Sequence, residues 1–322
     1  MPDYESGGRG FESLRARFLF QVTIAASIAA IVFFLSVAPA RGQELEPHSY
    51  SAVPTGTNFL VAGYTVSSGD VLIDTALPIA NVTASIDRTT LGYERTFALG
   101  GHAANVAVLI PYNAANFSGN VGEQSTAIQR WGFGDVATRF AWNFIGNRAL
   151  RPVEFMRQKP STTAGASLLV TAPTGAYNPA HLINASSHRW GFRPEIGAEI
   201  PIGKWFVNGA GGVWLFTNNN NFFGGHVRSQ NPVWEFQALG GYYFRPGLWL
   251  SAGGTYYTGG RTSVDGAANH DVLANGRYGL QLSVPFTSAL SAKVFWSNWL
   301  TATAGGKFQT VGLSFQYRWF DR

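Results

Sequence analysis

The sequence predicts an all-β chain that closes as an antiparallel transmembrane β-barrel of about 12 strands, preceded by a signal peptide. Three observations carry that reading. Apolar and polar residues alternate with a period of two in segment after segment. The links between those segments alternate between short and long. The composition is rich in glycine and aromatics and poor in charge: of 322 residues 38 are Gly, 14% are aromatic, 13% are charged and none is Cys. With 46% apolar residues the chain has ample material for a core, so the low charge points to a surface that partly faces lipid. Absence of Cys removes disulfide scaffolds, thiol catalysis and Cys-ligated metal sites. The net charge of +5 is spread singly, without a Lys/Arg run, so no nucleic acid is expected as a partner.

From the N-terminus, Phe18 to Val37 is almost wholly apolar, follows Arg15 and Arg17, and leads into Ala38-Pro39-Ala40, a small-x-small site of the kind signal peptidase accepts. Residues 1–40 are therefore read as an export signal, with a signal anchor as the alternative. Residues 41–56 form a periplasmic segment, and Gln43 to Pro54 could serve as a plug. Residues 57–322 form the barrel. After residue 40 no apolar run is long enough for a membrane helix, so a spanning chain must close a sheet on itself, because only helices and barrels satisfy every backbone group in lipid.

The strands follow in order near 57–67, 86–97, 103–112, 136–144, 162–172, 189–200, 204–217, 233–245, 247–258, 274–285, 289–300 and 310–319. The last is the clearest, with Val311, Leu313, Phe315, Tyr317 and Trp319 on one face and Thr310, Ser314, Gln316 and Arg318 on the other. Trp190, Phe192, Ile196 and Ile200 oppose Arg189, Arg193, Glu195 and Glu199 in the same way. Short links fall at Ala98 to His102, Pro201 to Gly203, Arg245 to Gly247 and Pro285 to Ser288. Long polar links fall at Gly69 to Ser85, Asn113 to Gly132, Pro173 to Ser187, Thr217 to Pro232 and Gly259 to Leu273. Membrane barrels carry their short turns on the periplasmic side, which puts both termini there. The link from Gly146 to Pro160 breaks the alternation, and Leu150 to Met156 could form one or two helical turns with Pro152 near the start, with an irregular tail of the fourth strand as the equal alternative. Trp205, Phe206, Trp249, Trp299, Trp319, Phe320, Tyr256 and Tyr257 fall near strand ends, as a headgroup belt requires. Thr310 to Tyr317 matches the terminal-strand pattern that outer-membrane barrels share, which points to the barrel-assembly machinery as a partner, although the chain continues to Asp321-Arg322.

No catalytic motif is present. Gly165-Ala166-Ser167-Leu168-Leu169 lacks the last residue of a nucleophile elbow, and no pair of His residues has metal-helix spacing. Gly209 to Gly212 lacks the Lys-Ser/Thr of a phosphate loop, and Asn218 to Asn221 lacks the carboxylates a calcium site needs. No cofactor is expected. A lipid-cleaving barrel enzyme remains the least favoured alternative. The informative residues are the charges on the polar faces: Arg88, Glu94, Asp135, Arg139, Arg189, Arg193, Glu195, Glu199, Glu235, Arg277, Lys293 and Arg318. Charges facing lipid cost a few kcal/mol each, so this register favours a lumen. There they either select solutes or brace the barrel as ion pairs. The slight cationic excess hints at anionic solutes.

Gly212-Val213-Trp214-Leu215-Phe216-Thr217, Asn221-Phe222-Phe223-Gly224-Gly225, Gly247-Leu248-Trp249-Leu250 and Thr255 to Thr262 resemble the outer-membrane transporter family named "putative MetA-pathway of phenol degradation". Tyr50 to Gly69, Gln158 to Tyr177 and Arg189 to Gly197 extend the resemblance over the mature chain. It implies an outer-membrane barrel among transporters of aromatic or hydrophobic compounds, and it implies no established ligand residues. The expected function is passive passage of small solutes across the bacterial outer membrane, with its lipid bilayer as partner. Lumen candidates are Arg88, Arg139, Arg189, Arg193, Glu195, Arg277 and Arg318, and outer-rim candidates are Phe222, Phe223 and Arg261. The alternative is a non-conducting structural or docking barrel.

Overall fold

The computed structural model describes residues 47–72, 79–121 and 124–321, so the export signal read at 1–40 lies outside the described residues. In chain order the elements are β1 (Thr57–Leu72), β2 (Ile79–Leu99), β3 (His102–Val121), β4 (Gln124–Phe133), β5 (Ala137–Ile145), α1 (Pro152–Phe155), β6 (Thr163–Thr171), β7 (Gly191–Ile202), β8 (Trp205–Phe216), β9 (Asn219–Phe222), β10 (His226–Gln230), β11 (Val233–Arg245), β12 (Leu248–Gly259), β13 (Thr262–Val264), β14 (Ala267–Ala268), β15 (Leu273–Pro285), β16 (Leu290–Thr301) and β17 (Gly305–Phe320). Every barrel strand pairs antiparallel with its sequence neighbour in the wall, and β1 meets β17 from Thr57↔Phe320 through Leu72↔Gly305. The sheet therefore closes as a 12-strand barrel of β1, β2, β3, β5, β6, β7, β8, β11, β12, β15, β16 and β17. Closure removes every free edge, the condition for a sheet in lipid.

β4 is not a thirteenth spanning strand. β3 pairs with β5 along Ala104 to Leu109 and with β4 along Tyr112 to Val121, so β4 and β5 follow one another along the same neighbour. Residues 134–136 interrupt the ladder between them and turn Asp135 inward, where it is wholly buried.

Within the barrel wall, Leu60, Tyr64, Leu91, Phe140, Ile196, Phe236, Leu280, Val311 and Phe315 lie on the outer face and are exposed. Their alternates point into the barrel. One end carries tight turns, such as Gly100-Gly101 (φ +58° and +78°) and Pro246-Gly247 (φ +78° at Gly247), where the left-handed backbone favours glycine. The same end holds α1, a single turn with Pro152 at its start and the Glu154 carboxylate accepting from the Arg151 backbone N–H at 3.1 Å.

At the opposite end the strands run further than the sequence reading placed them. β1 continues to Leu72, β2 begins at Ile79, and the link expected from Asn113 to Gly132 is the end of β3 plus β4. Here the polarity of the strands reverses. Val71, Val82, Ala84, Phe117 and Phe308 point inward and are buried, while Asp70, Thr83, Asn116, Ser118 and Gln309 point out. Above the bilayer the outer face meets water, so the apolar face turns inside and alternation changes phase. Leu182 and Ile183 from the β6–β7 loop, Phe222 from β9 and Val264 from β13 fill that interior. The links 217–232 and 259–273, read as loops, build a small sheet in the order β14-β13-β10-β9. Together these loops fold over the barrel as a cap.

Candidate solute passage

Strand parity places Arg88, Arg139, Arg193, Glu195 and Arg277 inside the barrel, as the alternation predicted. They do not form a ring. On the β7, β8, β11, β12 and β15 side the lumen is packed solid. Arg193 is 1% exposed; its Nη1 lies 3.1 Å from Glu235 Oε1 and its Nη2 3.6 Å from Glu195 Oε2, with the guanidinium 5.4 Å from the Trp214 ring centre. Trp214 Nε1 donates to Glu235 Oε2 at 2.9 Å. Arg277 Nη2 donates to Ser297 Oγ at 2.8 Å and Thr310 Oγ1 at 3.1 Å. Buried charges need such partners, since an unpaired one costs several kcal/mol.

On the tight-turn side, residues 47–56 run up into the barrel. Tyr50 is wholly buried; its hydroxyl donates to Glu195 Oε1 at 2.8 Å and lies 3.1 Å from Ser167 Oγ. Its carbonyl accepts from Asn143 Nδ2 at 3.1 Å and Thr163 Oγ1 at 2.6 Å. Gly197 makes room for the ring, because a Cβ there would stand 2.3 Å from Tyr50 Cε2. His48 Nδ1 lies 2.8 Å from Glu199 Oε2, which also accepts from Ser51 Oγ at 2.6 Å. The His48 ring packs 4.4 Å from Phe206 and 4.8 Å from Trp249, centre to centre. Phe206, Trp249 and Tyr257, expected near the lipid interfaces, thus point inward and are buried.

At the capped end Asp135 fastens the β6–β7 loop. Its carboxylate accepts from the hydroxyls of Ser186 and Ser187, from the Ser187 N–H at 3.0 Å and from the Gly175 N–H at 3.1 Å. Arg189, expected in the lumen, lies in this loop just before β7, bonded to Gln230 Oε1 and stacked 4.2 Å from the Phe216 ring centre. Arg318 faces inward but sits at the tight-turn mouth, donating to the Ser288 carbonyl at 2.5 Å. Phe222, expected at an open outer rim, is 4% exposed inside the cap cluster, with Phe223 packed against it. Arg261 is exposed on the cap, and its carbonyl accepts from the Asn231 N–H at 2.9 Å. Tyr50 and His48 lie in no strand, so the alternation did not single them out; they entered the sequence reading through the plug expected from Gln43 to Pro54 and, for Tyr50, through the family resemblance of Tyr50 to Gly69.

Between the N-terminal segment and the cap lies a chamber of about 550 Å3. Its walls come mainly from β1, β2, β3 and β5, with β16 and β17 beside them; its floor includes Pro47, His48, Ser49, Ser51 and Val53.

The family described as "Putative MetA-pathway of phenol degradation" matches residues 57–317. The chain belongs to that family. Among solved structures, one that shares the fold is the COG4313 outer membrane channel from Pseudomonas putida F1, at TM-score 0.75 and 21% identity, covering 86% of this chain and 100% of that one. The translocator domain of autotransporter NalP from Neisseria meningitidis aligns at TM-score 0.46 and 11% identity over 96% of this chain and 98% of that one. The CymD monoaromatic hydrocarbon channel aligns at TM-score 0.43 and 6% identity over 84% and 90%. Among curated proteins none matches. This member of the family is an outer-membrane β-barrel seated in a lipid bilayer.

Proposed function

We propose that the protein is an outer-membrane channel that passes small aromatic or hydrophobic solutes passively, without chemistry. The observation that carries this reading is the 550 Å3 chamber inside a closed barrel, within the size range of small-molecule sites, walled by strands and limited along the barrel axis by two pieces that are not part of the wall. One is the N-terminal segment, held by side-chain hydrogen bonds at Tyr50 and His48. The other is the cap, held by Asp135 and apolar packing. The family and the fold shared with a protein described as an outer membrane channel support it. In this reading residues 1–40 are removed on export, 41–56 form the plug and 57–322 the barrel, whose terminal strand Thr310 to Tyr317 is presented to the assembly machinery. Arg88, Arg139 and Arg193 border the path, Glu195 and Arg277 brace the filled side next to it, and Arg261 stands at its outer approach.

Purified protein in planar bilayers and in solute-loaded liposomes tests this. Small, noisy conductance is expected from the intact chain. Tyr50→Ala removes the ring and hydroxyl that pin the segment, so larger and more frequent openings are expected. Absence of channel events and of solute flux in both proteins would leave the second reading, a non-conducting structural barrel. The packed Arg193, Glu195 and Glu235 network favours that alternative.

A further inference from the structure

The chamber is asymmetric in a way that selects a ligand. In its wall the inward residues lie in rows fixed by strand register. Phe59, Glu94, Ala107 and Arg139 pair successively across β1, β2, β3 and β5. The next row outward is Val61, Gly92, Leu109 and Ala137, and the one above contains Gly63, Thr90 and Pro111. Glycine and alanine at alternate places leave this wall bare, and the chamber occupies the space. Leu109 points into the barrel and lies over Gly92, yet it is 37% exposed to the chamber.

Directly below this apolar band stands Arg139. Its guanidinium lies 5.4 Å from the Tyr50 ring centre, its Nη2 is 3.5 Å from the Ser49 carbonyl, and its buried Nε has no hydrogen-bond partner. Glu94 is close enough for its charge to act on Arg139, and Lys293 acts on Glu94 as well. The backbones of Glu94 and Arg139 stand two strands apart, about 10 Å at ordinary strand spacing, with the small Ala107 at the intervening position. A guanidinium with unused donors at the foot of a dry wall is a receptor for a planar carboxylate. Arg88 and Lys293 also line the chamber, but Glu94 and Asp135 offset them, so a second negative charge is disfavoured.

We infer that this chamber binds a monoanionic amphiphile, a single carboxylate on a compact apolar body, with the carboxylate on Arg139 and the body against Val61, Leu109 and Pro111. The inference deepens the channel reading and rests on it, since the chamber is the channel's own waist.

The test uses the full mature chain in lipid nanodiscs, with benzoate, the neutral benzyl alcohol and the dianion phthalate as probes in calorimetric titration. Benzoate is expected to bind about ten-fold more tightly than either of the others. Arg139→Gln is expected to weaken benzoate about ten-fold and leave benzyl alcohol within about two-fold. Should that variant not assemble, Ala107→Asp sets a carboxylate beside Arg139 in the same row and is expected to expel benzoate by a similar factor. Equal affinity for benzoate and benzyl alcohol, no benzoate binding, or a substituted protein indistinguishable from the native one would overturn the inference. The channel reading fails separately, if no probe of any charge crosses liposomes carrying the protein.

Discussion

Asp135 shows how one side chain can hold a loop. Its carboxylate is buried and gathers two hydroxyls and two backbone N–H groups from the segment between Gly175 and Ser187. Hydrogen bonds to a charged group each contribute about 1.5–3 kcal/mol, so Asp135→Ala should lower unfolding stability by about 3 kcal/mol. Protease nicking of the β6–β7 loop and urea titration in bilayers would check it. Glu235 illustrates the other side of burial. Glu235→Ala takes the nearer of two carboxylates from the Arg193 guanidinium, which is 1% exposed and keeps Glu195 at 3.6 Å, and should cost about 3 kcal/mol, whereas a joint apolar replacement of Arg193 and Glu235 should cost much less. A double-mutant cycle by urea unfolding decides between them. Arg193, Glu195 and Glu235 were legible in the sequence because parity alone puts them inside. Tyr50 was not, since it lies in no strand and its partners, Asn143, Thr163, Ser167 and Glu195, come from three different ones.

Among the elements, the strand extensions and the cap were the least visible. A period-two pattern identifies a strand only while one face keeps its polarity. At Val71, Phe117 and Phe308 the apolar face changes sides, so the signal cancels just where the chain leaves the bilayer. The small cap sheet is held in part by Asp265 at the β13 end, whose Oδ1 accepts from the Val227 N–H at 2.8 Å and whose Oδ2 lies 2.5 Å from His226 Nδ1. The Val227 N–H first, and then His226, hold this carboxyl below the ordinary aspartate value. A carboxylate depressed in the folded state contributes above its unfolded value and loses that contribution as pH falls through the lowered one. Hydrogen-exchange protection of the Val227 amide should therefore stay level from neutral pH to about pH 4 and decline in more acid solution. Protection unchanged through that range would assign the hairpin's order to packing instead.

For the whole molecule the governing contrast is lipid outside against a partly filled lumen inside. Ile196, 67% exposed on the outer face of β7, lies near the middle of its strand. Ile196→Arg should destabilise the folded barrel by about 2–4 kcal/mol, read from folding equilibria in liposomes, while a cation at a lumen position such as Thr90 should cost less. The sequence by itself determined the number of spanning strands, which face of their central stretches turns outward, and where the tight turns fall, because each follows from alternation along a local stretch. The tertiary structure alone decided which lumen wall is filled and which is bare. It also decided that the N-terminal segment enters the barrel and that Phe222 closes the cap instead of rimming it. Those outcomes depend on which inward side chains meet across the barrel, and strands far apart in the chain share that space only after the first has paired with the last.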